Sequence, residues 1–385
     1  MTAIAHRHVR TSATGADITV GDERFAAVRM PRRGSADRMI CRIRSLGSSA
    51  MTRTTPPRPL DITELFPELR EHSATATRLH PRPGMPTAAD SSVGGPLLWP
   101  ADEAWPVCID GDAHYIFRLR TPSTVRRSRE IYAAAQARAD ATGTRYALTD
   151  EERAQLPGLD FSEPHSLVNQ PISLVPVAQL YRRDVPDFTG PDGADLLQVL
   201  WCPLDHPEEG YNPRVRLYWR QSADVSRPLA AAPEPPVVND SYLPTPCVVY
   251  PEQIREYQYG GLLPEELDAR ITAWEEETEE ESDDEEGIDY QFDLSLAPGW
   301  KVGGFANWSL TDPHPVDCTE CGTAMTLLFT ADSGEWHGSG GSWRPVEDPA
   351  EAPPNPTDVS IGRGYALYIF RCPVSFDHPP ATAMQ

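Results

Sequence analysis

The sequence predicts a β-rich α+β protein built around an internally duplicated β unit. Its 385 residues include 40 prolines and 26 glycines, too many for a mostly helical chain. Short apolar runs of strand length alternate with turn-rich segments, and several motifs occur twice in the same order. Short helices and a helical insertion in the first half complete the predicted fold.

The duplication is predicted from two ordered matches. Val-Gly-Gly at 93–95, Trp99 and Pro-Val-Cys at 106–108 correspond to residues 302–304, Trp308 and Pro-Val-Asp-Cys at 315–318, with one extra residue in the second copy. Later, L-L-Q-V-L-W-C-P-L-D-H-P at 196–207 corresponds to L-Y-I-F-R-C-P-V-S-F-D-H-P at 367–379. Two matches in the same order are hard to attribute to chance, so we interpret them as a diverged duplication.

The same residues carry a family resemblance. The pattern G-G-x-x-x-W followed by a cysteine, then a strand ending in A-D-S, a tryptophan, a glycine and the strand G-Y-A-L-Y-I-F, resembles the YwqG family of bacterial proteins. That family is similar to the eukaryotic programmed-cell-death-two group of ribosomal-protein chaperones. The resemblance covers residues 86–379. It implies a duplicated β-rich unit and, on the eukaryotic side, the capture of a newly made ribosomal protein, and it supplies no established catalytic residues.

The domain organisation follows from shifts in composition. Residues 1–50 are arginine-rich with little apolar periodicity; we interpret them as a disordered basic arm or, preferably, as an extension upstream of the true start at Met51. The other predicted segments are an N-terminal arm with a short helix at 51–85, a first half at 86–226 with a helical insertion at 121–158, a connector, helix and acidic disordered loop at 227–286, and a second half at 287–380.

Individual elements are predicted from periodicity and turn residues. The predicted helices cover 61–72, interrupted by Pro67, then 125–139, a further one starting at Thr149, and 264–274. The predicted strands are 172–180, with Pro176 at an edge or bulge, 196–201, 215–220, 247–250, 291–296, 325–331 and 365–372. The acidic block at 275–286, with ten carboxylates in twelve residues, predicts a solvated loop.

Composition also limits the partners. The excess of 57 carboxylates over 34 Lys and Arg gives a net charge of −23, which repels phosphate backbones, so no nucleic-acid partner is expected. A basic protein is attracted, although acidity that only maintains solubility is the simpler interpretation. The absence of a long apolar run predicts no membrane span. An odd count of seven cysteines indicates reduced thiols and a cytoplasmic location.

The sharpest local signal is the motif Cys318-Thr-Glu-Cys321-Gly322, whose spacing lets two sulfurs face one tetrahedral ion. Zinc is the expected metal. The other two ligands are predicted to be Cys372 and His378, with His314 as a substitute. A reduced, partly buried thiol pair is the competing interpretation, and a redox pair is less favoured. Since the first copy keeps Cys108 but has Ile-Asp-Gly at 109–111, a metal is expected in the second half alone.

Two further patterns have weaker functional interpretations. Asp332 and Glu335 form a candidate acid/base pair, but a solvated turn after the strand is favoured. Asp-His recurs at 205–206 and 377–378, where a structural hydrogen bond at the strand exit is expected. Familiar catalytic motifs such as G-x-S-x-G, the phosphate-binding loop and H-E-x-x-H do not occur.

The preferred function is therefore a non-catalytic protein-binding module, either chaperone-like or immunity-like, that captures a basic or extended polypeptide. An acidic surface with aromatic residues suits such a client. The alternative is a metal-dependent or acid/base enzyme that uses the Cys318 region or Asp332 and Glu335.

Overall fold

Two six-stranded antiparallel sheets dominate the computed structural model, which describes residues 52–109, 114–116, 119–157, 168–281, 287–336 and 341–385. The predictions for residues 1–50 lie outside this part of the chain. The described strands are β1 Ser73–Arg78, β2 Arg82–Pro83, β3 Ser92–Val93, β4 Val107–Cys108, β5 Leu119–Arg120, β6 Ile172–Ser173, β7 Val175–Tyr181, β8 Leu196–His206, β9 Asn212–Arg220, β10 Val238–Asn239, β11 Cys247–Val248, β12 Glu252–Tyr257, β13 Lys301–Gly303, β14 Thr326–Asp332, β15 Ala366–Arg371 and β16 Ala381–Met384.

The described α-helices are α1 Ile62–Leu65, α2 Pro122–Thr142, α3 Asp150–Gln155 and α4 Glu265–Glu281. None of the described helices is long and apolar enough to cross a bilayer. The β-rich character predicted from the sequence is confirmed, and the pairing within the sheets is antiparallel.

The two large sheets have the same arrangement of motif-bearing strands. The first-half sheet has the order β2-β11-β3-β7-β8-β9, and the second-half sheet has the order β12-β1-β13-β14-β15-β16. In each, the third strand leads into the Gly-Gly pair. The fifth strand carries the Cys-Pro motif or ends immediately before it. Each sheet also contains strands from outside its half: β2 and β11 in the first-half sheet, and β1 and β12 in the second-half sheet.

The Gly-Gly pairs adopt matching backbone conformations. Gly94 and Gly303 have φ of +77° and +74°, and the glycines after them, Gly95 and Gly304, have +81° and +71°. Residues with a Cβ resist this left-handed region. A Cβ on Gly304 would also lie 2.1 Å from a carboxylate oxygen of Glu256. Glycine is therefore required here by both conformation and space.

The main hydrophobic core takes side chains from both sheets. Trp201 and Val177 of the first-half sheet belong to the same buried cluster as Phe329 and Leu367 of the second-half sheet. A buried ion pair lies among the second-half strands, where Lys301 Nζ is 2.6 Å from Glu256 Oε1. The apolar residues of this shared cluster are therefore buried by the two sheets together.

The hairpin of β7 and β8 positions one of the sites described below. Pro176 lies at a break in the register between these strands, as predicted for a bulge. The predicted edge position is wrong, because β7 pairs with β3 on one side and β8 on the other. All eleven residues of β8 are buried, and the strand continues past the predicted end at 201 as far as His206.

Several predicted elements differ from the structure. Residues 291–296, predicted as a strand, fall largely in a π-helical turn at Tyr290–Ser295, because the Asp289 side chain accepts a hydrogen bond from the N–H of Phe292 and caps the turn. Strands β1 and β12 were not predicted, since their polar residues give little apolar signal. The second half does not end at 380, because β16 follows and pairs with β15.

The helices are closer to prediction. The 61–72 segment is α1 followed by a 3-10 helix at Pro67–His72. In the insertion, α2 has an N-cap at Thr121, and α3 has a capping box formed by Thr149 and Glu152. The acidic loop predicted from residue 275 is wrong for its first part, because α4 continues to Glu281; glutamate has a good helix propensity. Residues 282–286 lie outside the described residues.

Candidate metal centres

The C-x-x-C motif of the second half forms a tight turn held by backbone hydrogen bonds. The N–H of Cys318 donates to the carbonyl of Thr323 at 2.9 Å, and the N–H of Gly322 donates to the carbonyl of Cys318 at 2.8 Å. Gly322 has φ of +69°, which explains why glycine follows the second cysteine. The backbone here is set by the sequence locally and does not need distant contacts to turn.

Cys372 approaches this turn from the end of β15. The chain turns again immediately after it, and the N–H of Val374 donates to the Cys372 sulfur at 3.4 Å. His378 lies in the loop that follows. The strand and the turn thus bring ligands that are far apart in the sequence to one place.

The four predicted zinc ligands converge in a group that we call the second cluster: Cys318, Cys321, Cys372 and His378. The sulfurs of Cys321 and Cys372 are 3.6 Å apart, and the Cys318 sulfur is 3.4 Å from His378 Nδ1. All four donor atoms lie within 4.8 Å of one another. A tetrahedral zinc site separates two sulfurs by about 3.8 Å and a sulfur and a nitrogen by about 3.6 Å. The arrangement fits a metal, and zinc as its occupant remains a prediction.

The substitute ligand lies apart from this group. The ring of His314 packs edge-on against Trp308, with 4.8 Å between ring centroids, and it contributes no donor atom to the second cluster. The choice of His378 over His314 therefore agrees with the geometry.

The second cluster contains groups that bind protons with different strengths. Burial raises the pKa of Cys318. Burial also acts to raise the pKa of Cys372, but hydrogen bonds from the backbone N–H groups of Ser375 and Val374, together with those to His378 and Cys321, lower this pKa to about 6. Hydrogen bonding to Cys372 raises the pKa of His378. A thiolate, the form that binds metals, is thus already favoured at Cys372.

The first half contains a second group of donors, which we call the first cluster: Cys108, His114, Cys202 and His206. The Cys108 sulfur is 3.3 Å from His114 Nε2 and 3.9 Å from His206 Nε2. The Cys202 sulfur is 3.4 Å from His114 Nε2. All four side chains are buried, and their donor atoms lie within 4.8 Å of one another. Two sulfurs and two nitrogens therefore surround one point.

Three strands and one bridge position the first cluster. Cys108 ends β4, which pairs with β6, while Cys202 and His206 both lie on β8. His114 precedes Tyr115, which forms an isolated bridge with Asp205 beside His206. Because His206 and Asp205 point to opposite faces of the strand, Asp205 is free to accept a hydrogen bond from the Tyr242 hydroxyl at 2.6 Å.

The two cysteines of the first cluster have pKa values that are shifted in opposite directions. Hydrogen bonding to Cys202 is the largest cause that lowers the pKa of Cys108 to about 3, and the two histidines act in the same direction. Burial, followed by the neighbouring Cys108, raises the pKa of Cys202 well above its usual value. The cluster therefore favours one thiolate, at Cys108, between two imidazoles.

A metal was expected in the second half alone, but groups of four donors that could hold a metal ion lie in both halves. That expectation rested on the missing C-x-x-C in the first half, but His114 supplies the fourth donor there, as Cys321 does in the second cluster. The matching strings C-P-L-D-H and C-P-V-S-F-D-H already paired Cys202 with Cys372 and His206 with His378. These matching strings, with the match of Cys108 to Cys318, were the signal for three of the four residues. Among the described residues, the hydrogen bond predicted for Asp-His is found at Asp205.

Both clusters offer four protein ligands, which is the composition of a closed site. Catalytic zinc sites keep a position for water or substrate, whereas structural sites are filled by protein. Thiolate and imidazole ligands suit zinc among the common divalent metals. Chemically, these sites are suited to fixing the fold and not to activating water.

The predicted acid/base pair is buried and not the solvated turn that was favoured. Asp332 and Glu335 are 3 % and 1 % exposed. The Asp332 carboxylate accepts hydrogen bonds from the N–H groups of Gly299 at 2.9 Å and Gly334 at 3.1 Å. Asp332 therefore holds the backbone in place, and Glu335 takes part in a further network.

Glu335 belongs to a chain of hydrogen bonds that passes through a fully buried histidine. His80 Nδ1 is 2.5 Å from Glu335 Oε1, and His80 Nε2 is 3.2 Å from Glu252 Oε2. Both ring nitrogens donate together only in the imidazolium form. Glu252 reaches a cavity of about 420 Å³ that is also lined by Thr55 and Trp343. His80 has φ of +45°, an unusual conformation that residues at functional sites sometimes adopt.

Comparison with known proteins adds no further assignment. No protein-family model matches the chain, and no curated protein matches it either. The resemblance to the YwqG family consequently remains a prediction from the quoted residues.

Proposed function

We propose that this protein is a non-catalytic protein-binding module in which a zinc ion held by the second cluster fixes the second half. The observation that carries the proposal is the complete set of four protein ligands, since a filled coordination shell leaves no position for a reacting molecule. The fold contribution of such an ion is large, because structural zinc binding in small domains supplies about 10–16 kcal/mol.

The proposed client is a basic or extended polypeptide. Residues 265–286 contain thirteen carboxylates and one arginine, a net charge of −12 out of the −23 of the whole chain. Beside α4, a cavity of about 210 Å³ is lined by Asp268, Glu275 and Asp289 together with two tyrosines. The concentration of charge supports attraction of a cationic partner. By resemblance, that client is a ribosomal protein; a toxin neutralised by an immunity-like partner has the same charge requirement.

Two further proposals accompany this function. The matching strand orders and the matching Gly-Gly conformations support descent of the two halves from one duplicated unit. The thiol ligands of a zinc site need a reducing compartment, which supports a cytoplasmic location.

The client proposal is tested with a defined peptide. A fluorescent extended peptide with alternating lysine and apolar residues is titrated with the full chain, with its glutamine-for-lysine counterpart as reference. Raising salt from about 0.1 M to about 1 M shortens the screening length from about 10 Å to about 3 Å, so the affinity for the lysine peptide falls steeply. Equal affinities for the two peptides would refute the electrostatic proposal.

A matched pair of triple variants locates the contact. Glu276, Glu277 and Glu279 are exposed on α4, while Glu130, Asp140 and Glu151 are exposed on α2 and α3. Changing each set to Gln or Asn removes three charges. At about 0.2–1 kcal/mol for each exposed pair, the α4 set weakens peptide binding by roughly threefold to a hundredfold. The α2 and α3 set leaves the Kd within about twofold; equal effects of the two sets would point to general charge only.

The zinc proposal is tested by metal analysis. Cys318→Ser is expected to lose one zinc ion per chain relative to the parent protein, while the peptide affinity tests the client separately. An unchanged metal content in this variant would remove the second cluster as a zinc site and leave the reduced thiol pair as its interpretation.

One observation favours an alternative, an acid/base enzyme. The Glu335–His80–Glu252 chain ends at a cavity, and a histidine oriented by a carboxylate is a common acid/base arrangement. The test is a screen of ester, amide and phosphate substrates against the parent protein and Glu252→Gln. Turnover that depends on Glu252, with zinc content unchanged, would support the enzyme; purified protein without turnover that binds the lysine peptide supports the binding module.

A further inference from the structure

We infer that the first cluster is a second structural zinc site of Cys2His2 composition, so that each half of the chain holds its own ion. This goes beyond the proposed function, which assigns a metal only to the second half. The four ligands are Cys108, His114, Cys202 and His206.

The sulfur–nitrogen distances within the first cluster are close to those between two ligands of a tetrahedral zinc ion. Zn–S bonds of about 2.3 Å and Zn–N bonds of about 2.0 Å separate sulfur and nitrogen by about 3.6 Å. The three sulfur–nitrogen distances are 3.3, 3.4 and 3.9 Å. One ion at the centre therefore reaches all four donor atoms with small side-chain adjustments.

Burial favours a bound ion as the partner of these four donor groups. All four residues are 8 % exposed or less. Both histidines turn Nε2 toward the sulfurs, and among the described residues neither Nδ1 has a hydrogen-bond partner. Burial of polar groups without full hydrogen bonding is unfavourable. A divalent cation satisfies two thiolates and two imidazoles at once and offsets that cost.

The first cluster also shares its construction with the second. Cys202 and Cys372 are each followed by proline, and in each case the N–H two residues further on, that of Leu204 or Val374, points at the cysteine sulfur. Such N–H groups stabilise a thiolate. The difference is one ligand, because His114 replaces the exposed Cys321. The same scaffold therefore provides a Cys2His2 site in one half and a Cys3His site in the other.

The competing interpretation is a thiol and imidazole hydrogen-bond network without metal. It predicts the same short distances but no bound ion. Zinc stoichiometry separates the two interpretations. The intact full-length protein, purified without chelator, is expected to contain two zinc ions per chain by plasma mass spectrometry. A single ion that disappears in Cys318→Ser would overturn the inference.

X-ray absorption at the zinc edge supplies a second measurement on the unmodified protein. Five cysteines and three histidines over two ions give an average of 2.5 sulfur and 1.5 nitrogen ligands per zinc. Zinc in the second cluster alone gives three sulfurs and one nitrogen. A fitted ratio of three to one would contradict the inference even if the total zinc were high.

Variants then assign the ions. Cys108→Ser/Cys202→Ser is expected to retain one zinc with a Cys3His spectrum, and Cys318→Ser to retain one with a Cys2His2 spectrum. The matched control is Cys247→Ser, since Cys247 is also buried but its thiol donates to the carbonyl of Thr245 at 3.3 Å outside both clusters. Two ions in the Cys108/Cys202 variant, or loss of an ion in the Cys247 variant, would refute the assignment. Because these readouts concern metal alone, they are independent of client binding.

Discussion

Removal of the Lys301 ammonium is expected to destabilise the protein strongly. Glu256 is 0 % exposed and Lys301 is 2 % exposed. Lys301 Nζ donates to Glu256 Oε1 at 2.6 Å and to the carbonyl of Phe305 at 3.1 Å. Lys301→Met keeps an unbranched side chain that is one atom shorter, and it leaves a buried carboxylate without its counter-ion.

The magnitude follows from the bonds that remain. Removing one partner of a buried ion pair costs about 3–5 kcal/mol. Glu256 keeps two backbone donors, the N–H groups of Ala297 and Phe305, both at 3.0 Å, so the loss in the free energy of unfolding is expected at the lower end, about 3 kcal/mol. Against a typical total of about 5–15 kcal/mol, this is a large fraction.

The assay is urea unfolding followed by tryptophan fluorescence. Arg363→Met serves as the matched control, because Arg363 is exposed and surface substitutions usually change stability by no more than about 0.5 kcal/mol. A loss below about 1 kcal/mol in Lys301→Met, with an unchanged dependence on urea, would show that the ion pair does not stabilise the fold as argued.

Three more predictions concern the metal sites, an acidic group and a glycine. Excess chelator is expected to remove zinc in two phases, with the faster release from the second cluster. The reason is that Cys321 is exposed and His378 half-buried, while the first cluster is buried throughout. Release in one phase would contradict this. Burial acts to raise the pKa of Glu252, but hydrogen bonds with His80 and Thr55 lower it from 4.5 to about 2. A lowered folded-state pKa stabilises the protein above pH 4.5, and this contribution is lost as pH falls toward 2; Glu252→Gln should therefore flatten this part of the stability profile, and an unchanged profile would refute the role. Gly304→Ala should lower the free energy of unfolding more than Gly143→Ala does. Both glycines have positive φ (+71° and +60°), which gives a shared conformational cost of about 1–2 kcal/mol, but a Cβ on Gly304 would also clash with Glu256. Equal losses in the two variants would argue against this close contact.

The strands with strong apolar patterns could be predicted from the sequence. Residues 325–331 and 365–372 read as apolar runs and became β14 and β15 within one residue. By contrast, β1 reads Ser-Ala-Thr-Ala-Thr-Arg. Its central place between β12 and β13 comes from pairing with strands distant in the sequence, and nothing local reports such pairing.

The candidate site was predictable in one half and not in the other for a related reason. In the second half, C-x-x-C is a local signal. The other two ligands, Cys372 and His378, follow β15. In the first half, Cys108 and His114 are separated by residues without a recognised spacing, and they meet Cys202 only through the packing of β4 and β8. The sequence motifs shared by the two halves match three of the four ligands, Cys108, Cys202 and His206, to ligands of the second cluster.

The buried position of Lys301 has a consequence for chemical labelling. It is the single lysine in the chain, since the other cationic side chains are arginines. In the folded protein the Lys301 side chain is only 2 % exposed, so its acylation by an amine-directed reagent requires the second-half sheet to open. The rate of that acylation therefore reports the rate at which this region opens, and no probe has to be introduced.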